Sequence, residues 1–368
     1  MNERTTVSRI ESVIMHRREI PLVRPFVTAV RTAYTVDALL VEVQDSDGRS
    51  GWGEAPTSWR VTGESHASVT AAIEGPLYEA IRGMPVEDPV AVSAALERAV
   101  VRNSSARMAV DCAVYDLAAR QADLPLYRYL GGERDVVRTD MTVSAAATGR
   151  EVDELVRSAV RHVDDGFTTV KVKVGAGTDD RTVVAAVRAA VGPEVALRVD
   201  ANQAWQPEQA VRIISAWEDD GIGVEFVEQP VHRDDVAGLA HVTEVVSTPI
   251  LADETVWARR DLREVLRVRA ADLINVKLAK TGGLREAIEL AVLARQNEVG
   301  VVIGCMSETH VGIAAAAALA SAVAPDEPQD LDAGLWLVSS PAQGGVLYQA
   351  ELLRLSGEPG TGILGLRR

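Results

Sequence analysis

A rhythm constrains this chain more than any single residue does. Short apolar runs recur at RTDMTVSA, TTVKVKVG, VALRVDAN, VEFVEQPV, TPILADET, DLINVKLAK, VGVVIGCMSE and PQDLDAGL. They stand roughly 25 residues apart, and most gaps hold a helical pattern such as DDRTVVAAVRAAVG or GLREAIELAVLARQNEV, the alternation that builds parallel βα units. Eight units over about 220 residues approach the ~250 typical of a (β/α)8 barrel. A doubly wound open sheet usually carries a glycine-rich turn after its first strand, and none is present. The fold class predicted is α/β, a modified TIM (β/α)8-type barrel over residues 131–345.

Residues 1–130 follow another pattern. SRIESVIMHRREI and YTVDALLVEVQDSDGRSGWGEA alternate apolar and polar residues around an Asp-Gly turn, which predicts a small antiparallel sheet. SVTAAIEGPLYEAIRGM and ARMAVDCAVYDLAARQA then show three-to-four spacing, so the segment is predicted to be an α+β capping domain. The tail, 346–368, is read as having no strand of its own and packing back on that domain.

Thirty-eight basic against 53 acidic residues give a net charge of −15, which disfavours nucleic acid as a partner. Cys112 and Cys305 lie far apart with no metal-ligand or redox spacing, as suits a reducing compartment. The N-terminus lacks an apolar signal core, and no run approaches the ~20 apolar residues of a membrane span. The expectation is a soluble, cytoplasmic protein that acts on a small molecule.

Barrel chemistry gathers at the C-terminal ends of the strands. Strand two ends in Lys171 and Lys173, two apart and so on one face; strand three ends in Asp200 and Asn202, strand four in Glu228. Strand five ends in Asp253 and Glu254, strand six in Lys277 with Lys280 beyond, and strand eight carries Asp330 and Asp332. Strands two and six are opposite in a ring of eight, so Lys173 and Lys277 are predicted to face each other across the mouth. Asp200, Glu228 and Asp253 then lie on the arc between them. Three converging acids repel unless a cation neutralises them, and all-oxygen ligation favours Mg2+ over zinc. A metal on a substrate carboxylate stabilises the enediolate formed when the α-proton leaves. A lysine on each face allows one to remove that proton and the other to return it with inversion. One lysine must then be neutral at pH 7, about three units below its usual ~10.4, and Lys171 beside Lys173 is expected to contribute to that shift. A solvated strand face defended by lysine is the plain alternative.

With KVKV, VDANQAW, VEQPV, LADET, NVKLAKTGG and GCMSETHVGIAAA in place, the chain resembles the enolase superfamily, muconate-lactonizing-enzyme subgroup, over essentially its whole length. The resemblance implies a capping domain over a modified barrel, one Mg2+ per active site held by Asp200, Glu228 and Asp253, and acid/base roles for Lys173 and Lys277. Finer features are similar to dipeptide epimerases of the L-Ala-D/L-Glu type, which act on cell-wall peptides. QDLDAGL matches their strand-eight Asp-x-Asp, implying that Asp330 and Asp332 bind a free ammonium. EAPTSWRVTGES matches their capping loop, where the bulk of Trp59 is expected to alter the pocket, and RPFVTAVRTAYT their N-terminal loop, where Arg31 falls on a carboxylate-binding arginine. Thr142, Cys305 and Met306 fall on substrate-facing positions, Lys171 is expected to touch the substrate carboxylate, and His162 and His310 read as structural or exposed. Homo-oligomerisation is implied by resemblance alone. N-acylamino acid racemase, o-succinylbenzoate synthase and muconate cycloisomerase are the alternatives within the subgroup, and a non-catalytic metal or small-molecule binding protein is the alternative outside it.

Overall fold

The computed structural model describes residues 7–27, 32–145 and 149–367. The chain opens with an antiparallel sheet, β1 (Ile10–Val27), β2 (Thr32–Asp45) and β3 (Ser50–Pro56). The predicted Asp-Gly turn joins β2 to β3: Gly48 takes φ 77°, and the buried Asp45 carboxylate accepts the N–H groups of Asp47 and Arg49 at 3.0 and 2.9 Å. The long helix Ser104–Gln121 crosses this sheet. Gly51 and Gly53, two apart on one face of β3, lie against Ala113 and Ala109, one helical turn apart, so closely that a Cβ on either glycine would overlap the helix backbone. Small residues on both sides set the spacing between helix and sheet.

After β4 (Val136–Arg138) come seven parallel strands, each paired with the next in chain order: β5 (Met141–Val143), β6 (Thr169–Lys173), β7 (Ala196–Asp200), β8 (Val224–Glu228), β9 (Ile250–Ala252), β10 (Leu273–Lys277) and β11 (Gly300–Gly304). The predicted eighth strand is not a strand. Its place is taken by single bridges, Thr139 to Gln329 and Gly304 to Asp330, after which Asp332–Trp336 turns into a 3-10 helix. The physical reason lies in PQDLDAGL: Pro328 offers no N–H to a ladder, and two aspartates leave little apolar side chain to cover a strand. Backbone bonds still close the ring, with Asp140 N–H donating to Gln329 at 2.8 Å and Asp330 N–H to Ile303 at 2.9 Å.

Inside the ring, Phe226, Leu251 and Val302 form a buried apolar cluster with Leu273 packed on it. Each sits two residues before a position at the mouth, namely Glu228, Asp253, Gly304 and Asn275, so strand alternation stacks the polar layer on an apolar plug.

The tail differs from expectation. Just after β12 (Ala342–Gly344), it contributes three short strands, β13 (Leu347–Gln349), β14 (Leu352–Arg354) and β15 (Ile363–Leu366). β14 inserts between β13 and β4, and β12 pairs with β15. Three or four residues each are too few for a clear period-two pattern, which is why the sequence hid them.

Three buried carboxylates of the N-terminal module tie it to the barrel and the tail. Glu54 accepts Thr309 N–H at 2.9 Å, Thr309 Oγ1 at 2.6 Å and Gly312 N–H at 2.9 Å, capping the helix His310–Val323. Asp111 accepts Leu284 N–H at 2.7 Å at the start of helix Leu284–Gln296. Asp116 accepts Trp52 N–H at 2.8 Å and Thr361 N–H at 2.5 Å, joining sheet, helix and tail.

Two stability effects arise from this packing. Gly53→Ala pushes β3 off its helix and is expected to cost about 3 kcal/mol in urea denaturation, as overpacking does. His310, largely buried against Tyr348, has its pKa lowered to about 4 by burial and by Arg367. Its neutral form is therefore the stable one: its contribution is complete above the unfolded value of ~6.5 and is lost as pH falls towards 4. The stability difference between the protein and His310→Gln should therefore shift by up to about 3 kcal/mol between pH 7 and pH 4.

Candidate active site

Strand register brings the site together. Lys173, Asp200 and Glu228 are paired neighbours on β6, β7 and β8, so their side chains rise from one row. Leu251 pairs with both Glu228 and Leu273, which sets Asp253 and Asn275 at one level and Lys277 one step above. Between β6 and β10 lie β7, β8 and β9 on one side, and β11, the bridged Gln329–Asp330 segment and β5 on the other. Lys173 and Lys277 are thus diametric, and both line one cavity at the C-terminal ends of the strands.

Every charge in the row is buried and compensated. Lys173 donates to Asp200 Oδ2. Lys277 donates to Asp253 Oδ2 at 2.7 Å and lies 3.9 Å from Glu228 Oε1. Glu228 also accepts Asn275 Nδ2 at 2.9 Å. Burial and the Asp200 carboxylate push Glu228 up to about 7, and burial with Asp253 pushes Glu254 up to about 8. Against the cost of burial, Lys277 and Lys280 hold Asp253 well below the usual carboxylate range. Lys277 in turn is held charged, well above its ordinary value, by Asp253 and Glu228 despite its burial.

Lys171, beside Lys173, contacts Asp330 Oδ1 and lies 3.7 Å from Glu228 Oε2. These acids hold it charged although burial opposes that.

Asp330 lines the cavity. Asp332 does not present a free carboxylate there. Its Oδ2 accepts Thr142 N–H at 2.7 Å and Trp336 Nε1–H at 3.0 Å, because the chain turns into the 3-10 helix at this residue rather than continuing as a strand. Thr142, Cys305 and Met306 line the cavity, with the Cys305 thiol donating to Asp330 O at 3.3 Å. Phe26 and Trp336 stack with centroids 4.1 Å apart and form an apolar wall with Val61. Trp59, expected to crowd the pocket, is 73% exposed; Val61 of the same loop lines the cavity. Arg31 lies outside the described residues. His162 stacks edge-on to Phe167, and His310 packs edge-on to Tyr348, so neither belongs to the site.

Two groupings of acids are possible cation ligands. Carboxylate oxygens of Asp140, Asp330 and Asp332 lie within 4.8 Å of one another. Arg198 donates to Asp140 Oδ2 at 3.0 Å, Lys171 contacts Asp330, and a backbone N–H and an indole bond Asp332 Oδ2, while Asp140 Oδ1 and Asp332 Oδ1 are buried without a hydrogen-bond partner. Of these three acids, only Asp330 reaches the cavity. Asp200 and Asp253 pair with the two opposed lysines, Asp200 with Lys173 and Asp253 with Lys277, Glu228 stands on the strand between them, and Asp253 lines the cavity. Beside them Glu254 Oε2 is buried with no hydrogen-bond partner, an oxygen that a nearby cation would satisfy.

Comparison with known proteins fits this geometry. Residues 154–364 match the enolase C-terminal domain-like family, and residues 9–131 match the mandelate racemase/muconate lactonizing enzyme N-terminal domain. The chain belongs to the enolase superfamily. It is 41% identical to the L-Ala-D/L-Glu epimerase of Bacillus subtilis over 98% of this chain and 97% of the relative. It is 38% identical to the hydrophobic dipeptide epimerase of Enterococcus faecalis over 96% of this chain and 99% of the relative. The substrate-liganded B. subtilis epimerase superposes with a TM-score of 0.95 at 40% identity, covering 98% of this chain and 100% of that one. The E. faecalis enzyme complexed with Mg and L-Leu-L-Tyr superposes at 0.91 and 37% identity, covering 96% and 99%. This enolase-superfamily chain is an isomerase of the racemase and epimerase kind.

Within the superfamily site, sequence reasoning passed over Gln229 and Asn275. Gln229 takes φ 38°, and its amide oxygen accepts Asp253 and Thr255 N–H at 2.9 and 3.1 Å, bracing the turn after β9. Asn275 was legible, because it stands two residues before Lys277 and therefore on the same inward face.

Arg198 tests the network beneath the mouth. It lies over the Phe226 ring and, beyond its bond to Asp140, donates to Glu225 at 2.7 Å and to Pro328 O at 2.9 Å. Arg198→Met strands Asp140, which burial already pushes up to about 7, and should cost about 3–5 kcal/mol at pH 8 in urea denaturation. A carboxyl with a raised folded pKa destabilises increasingly as pH rises through that value, so the deficit of the variant should shrink as pH falls from 8 to 5.

Proposed function

We propose that this chain is a Mg2+-dependent dipeptide epimerase that inverts the α-carbon of the C-terminal residue by two-base proton transfer, with L-Ala-D/L-Glu or a closely related dipeptide as substrate. One observation carries the reading: Lys173 and Lys277 stand on opposite arcs of one cavity, with Asp200, Glu228 and Asp253 on the strands between. The kinship with two curated dipeptide epimerases at 38–41% identity supports it.

The three acids suit a hard cation, being buried, all-oxygen and adjacent to the unpartnered Glu254 oxygen. A divalent ion held there lowers the cost of the charge that builds on the substrate carboxylate as the α-proton leaves, and offsets the acids that keep Lys277 charged. Lys173 and Lys277 then exchange protons with the two faces of the α-carbon, one as amine and the other as ammonium, with roles reversed in the opposite direction. Asp330 receives the free ammonium of the dipeptide in place of Lys171, and Lys171 turns to the substrate carboxylate. Asp332 supports this from behind by holding Thr142 and Trp336 in place. N-acylated substrates, which bring no ammonium to Asp330, are disfavoured.

The wall formed by Phe26, Val61, Met306 and Trp336 favours a second reading of side-chain preference, an apolar C-terminal residue. Incubation in D2O with L-Ala-L-Glu and with L-Leu-L-Tyr, read by mass spectrometry, separates the two: the true substrate gains one deuteron. Exchange with N-acyl amino acids and not with dipeptides would overturn the reading. Lys173→Ala and Lys277→Ala should each lower kcat by ~10^2–10^4-fold. Undiminished epimerisation by either variant would remove that residue from the mechanism. Removal of divalent cations with a chelator should abolish exchange, and Mg2+ should restore it.

A further inference from the structure

The Lys280 ammonium carries three N–H bonds and meets three acceptors: Asp253 Oδ1 at 2.6 Å, Asp253 O at 2.6 Å and Asn275 O at 2.7 Å. Its side chain is 1% exposed, so no donor remains for a substrate even though the residue borders the cavity. The acceptors belong to two neighbouring strand ends, Asp253 just past β9 and Asn275 within β10, two residues before Lys277. Lys280 itself lies in the one-turn helix Leu278–Thr281 that comes after Lys277 and ends at Gly282, φ 81°. One ammonium therefore joins a carboxylate, the backbone of the same residue and the strand that carries a proposed base.

We infer that Lys280 is a positioning residue: it commits Asp253 Oδ1, so that Asp253 presents Oδ2 alone to Lys277 and to the divalent cation of the proposed site. This rests on the reading of Asp253 as a cation ligand. A carboxylate on a strand end turns about a broad terminal torsion, and fixing one oxygen together with the residue's own carbonyl removes that freedom. The role is distinguishable from mere charge compensation. A buried positive charge repels a second cation, so deleting Lys280 as a simple counter-charge would tighten cation binding. Deleting it as a clamp loosens binding, because partners that orient a metal ligand are typically worth ~10–100-fold in affinity.

The test uses the full-length protein and Mn2+ as a paramagnetic probe, with free Mn2+ read by electron paramagnetic resonance in the absence of substrate. Lys280→Met is expected to bind Mn2+ about 10–100-fold more weakly than the parent. Lys280→Arg, which keeps the charge but not three convergent bonds, should also bind more weakly, and it serves if the methionine variant fails to fold. In Lys280→Ala, added propylammonium should restore affinity, whereas tetramethylammonium, a cation without N–H donors, should not. Unchanged or tighter Mn2+ binding in a folded Lys280→Met or Lys280→Arg overturns the inference while leaving the ligand reading intact. A parent protein that takes up no Mn2+ overturns the ligand reading, and the inference with it.

Discussion

Everything at the mouth of this barrel depends on mutual neutralisation among charges removed from water. Lys171, Lys173, Lys277 and Lys280 are all nine-tenths buried or more, as are Asp200, Glu228, Asp253 and Asp330. Each alone would cost several kcal/mol to bury, and only close pairing offsets that cost. Pairing at this density needs placement finer than loops provide. Parallel strands supply it, since their register sets Lys173, Asp200 and Glu228 in one row while the apolar plug of Phe226, Leu251 and Val302 keeps water from below.

That same pairing explains why the chemistry cannot be read from one residue at a time. Asp253 is shared by two ammoniums and Glu228 lies near two, so their protonation belongs to the cluster. Lys277 is held charged by acids, and its use as a base requires those acids to be engaged elsewhere. A bound cation and an acid/base lysine are thus two sides of one electrostatic balance in the proposed reaction, and neither is meaningful without the other.

Much of the architecture was legible in the sequence because period and spacing carry it. The recurrence of strand and helix gave the barrel, the Asp-Gly turn gave the hairpin, and Lys171-x-Lys173 marked an inward face. The misses have physical causes. PQDLDAGL has the spacing of a strand but not the donors or apolar cover of one, so Asp332 turned into the 3-10 helix. The contact of Lys171 with Asp330 was not legible, because Asp330 stands far along the chain and comes to it only through ring closure. The tail strands were invisible because three or four residues show no period. The apolar wall joins Phe26, Val61, Met306 and Trp336 from four separate segments, a juxtaposition that only the folded chain provides.

Glu54, Asp111 and Asp116 bear on how such a protein can be rebuilt. Each is an acid of the N-terminal module that accepts peptide N–H groups of the barrel or tail. The module is therefore not a detachable lid. A chimera that grafts the cap of one relative onto the barrel of another succeeds only where both halves keep these three acid-to-amide seams, so inheritance of substrate range and inheritance of scaffold are bound to travel together.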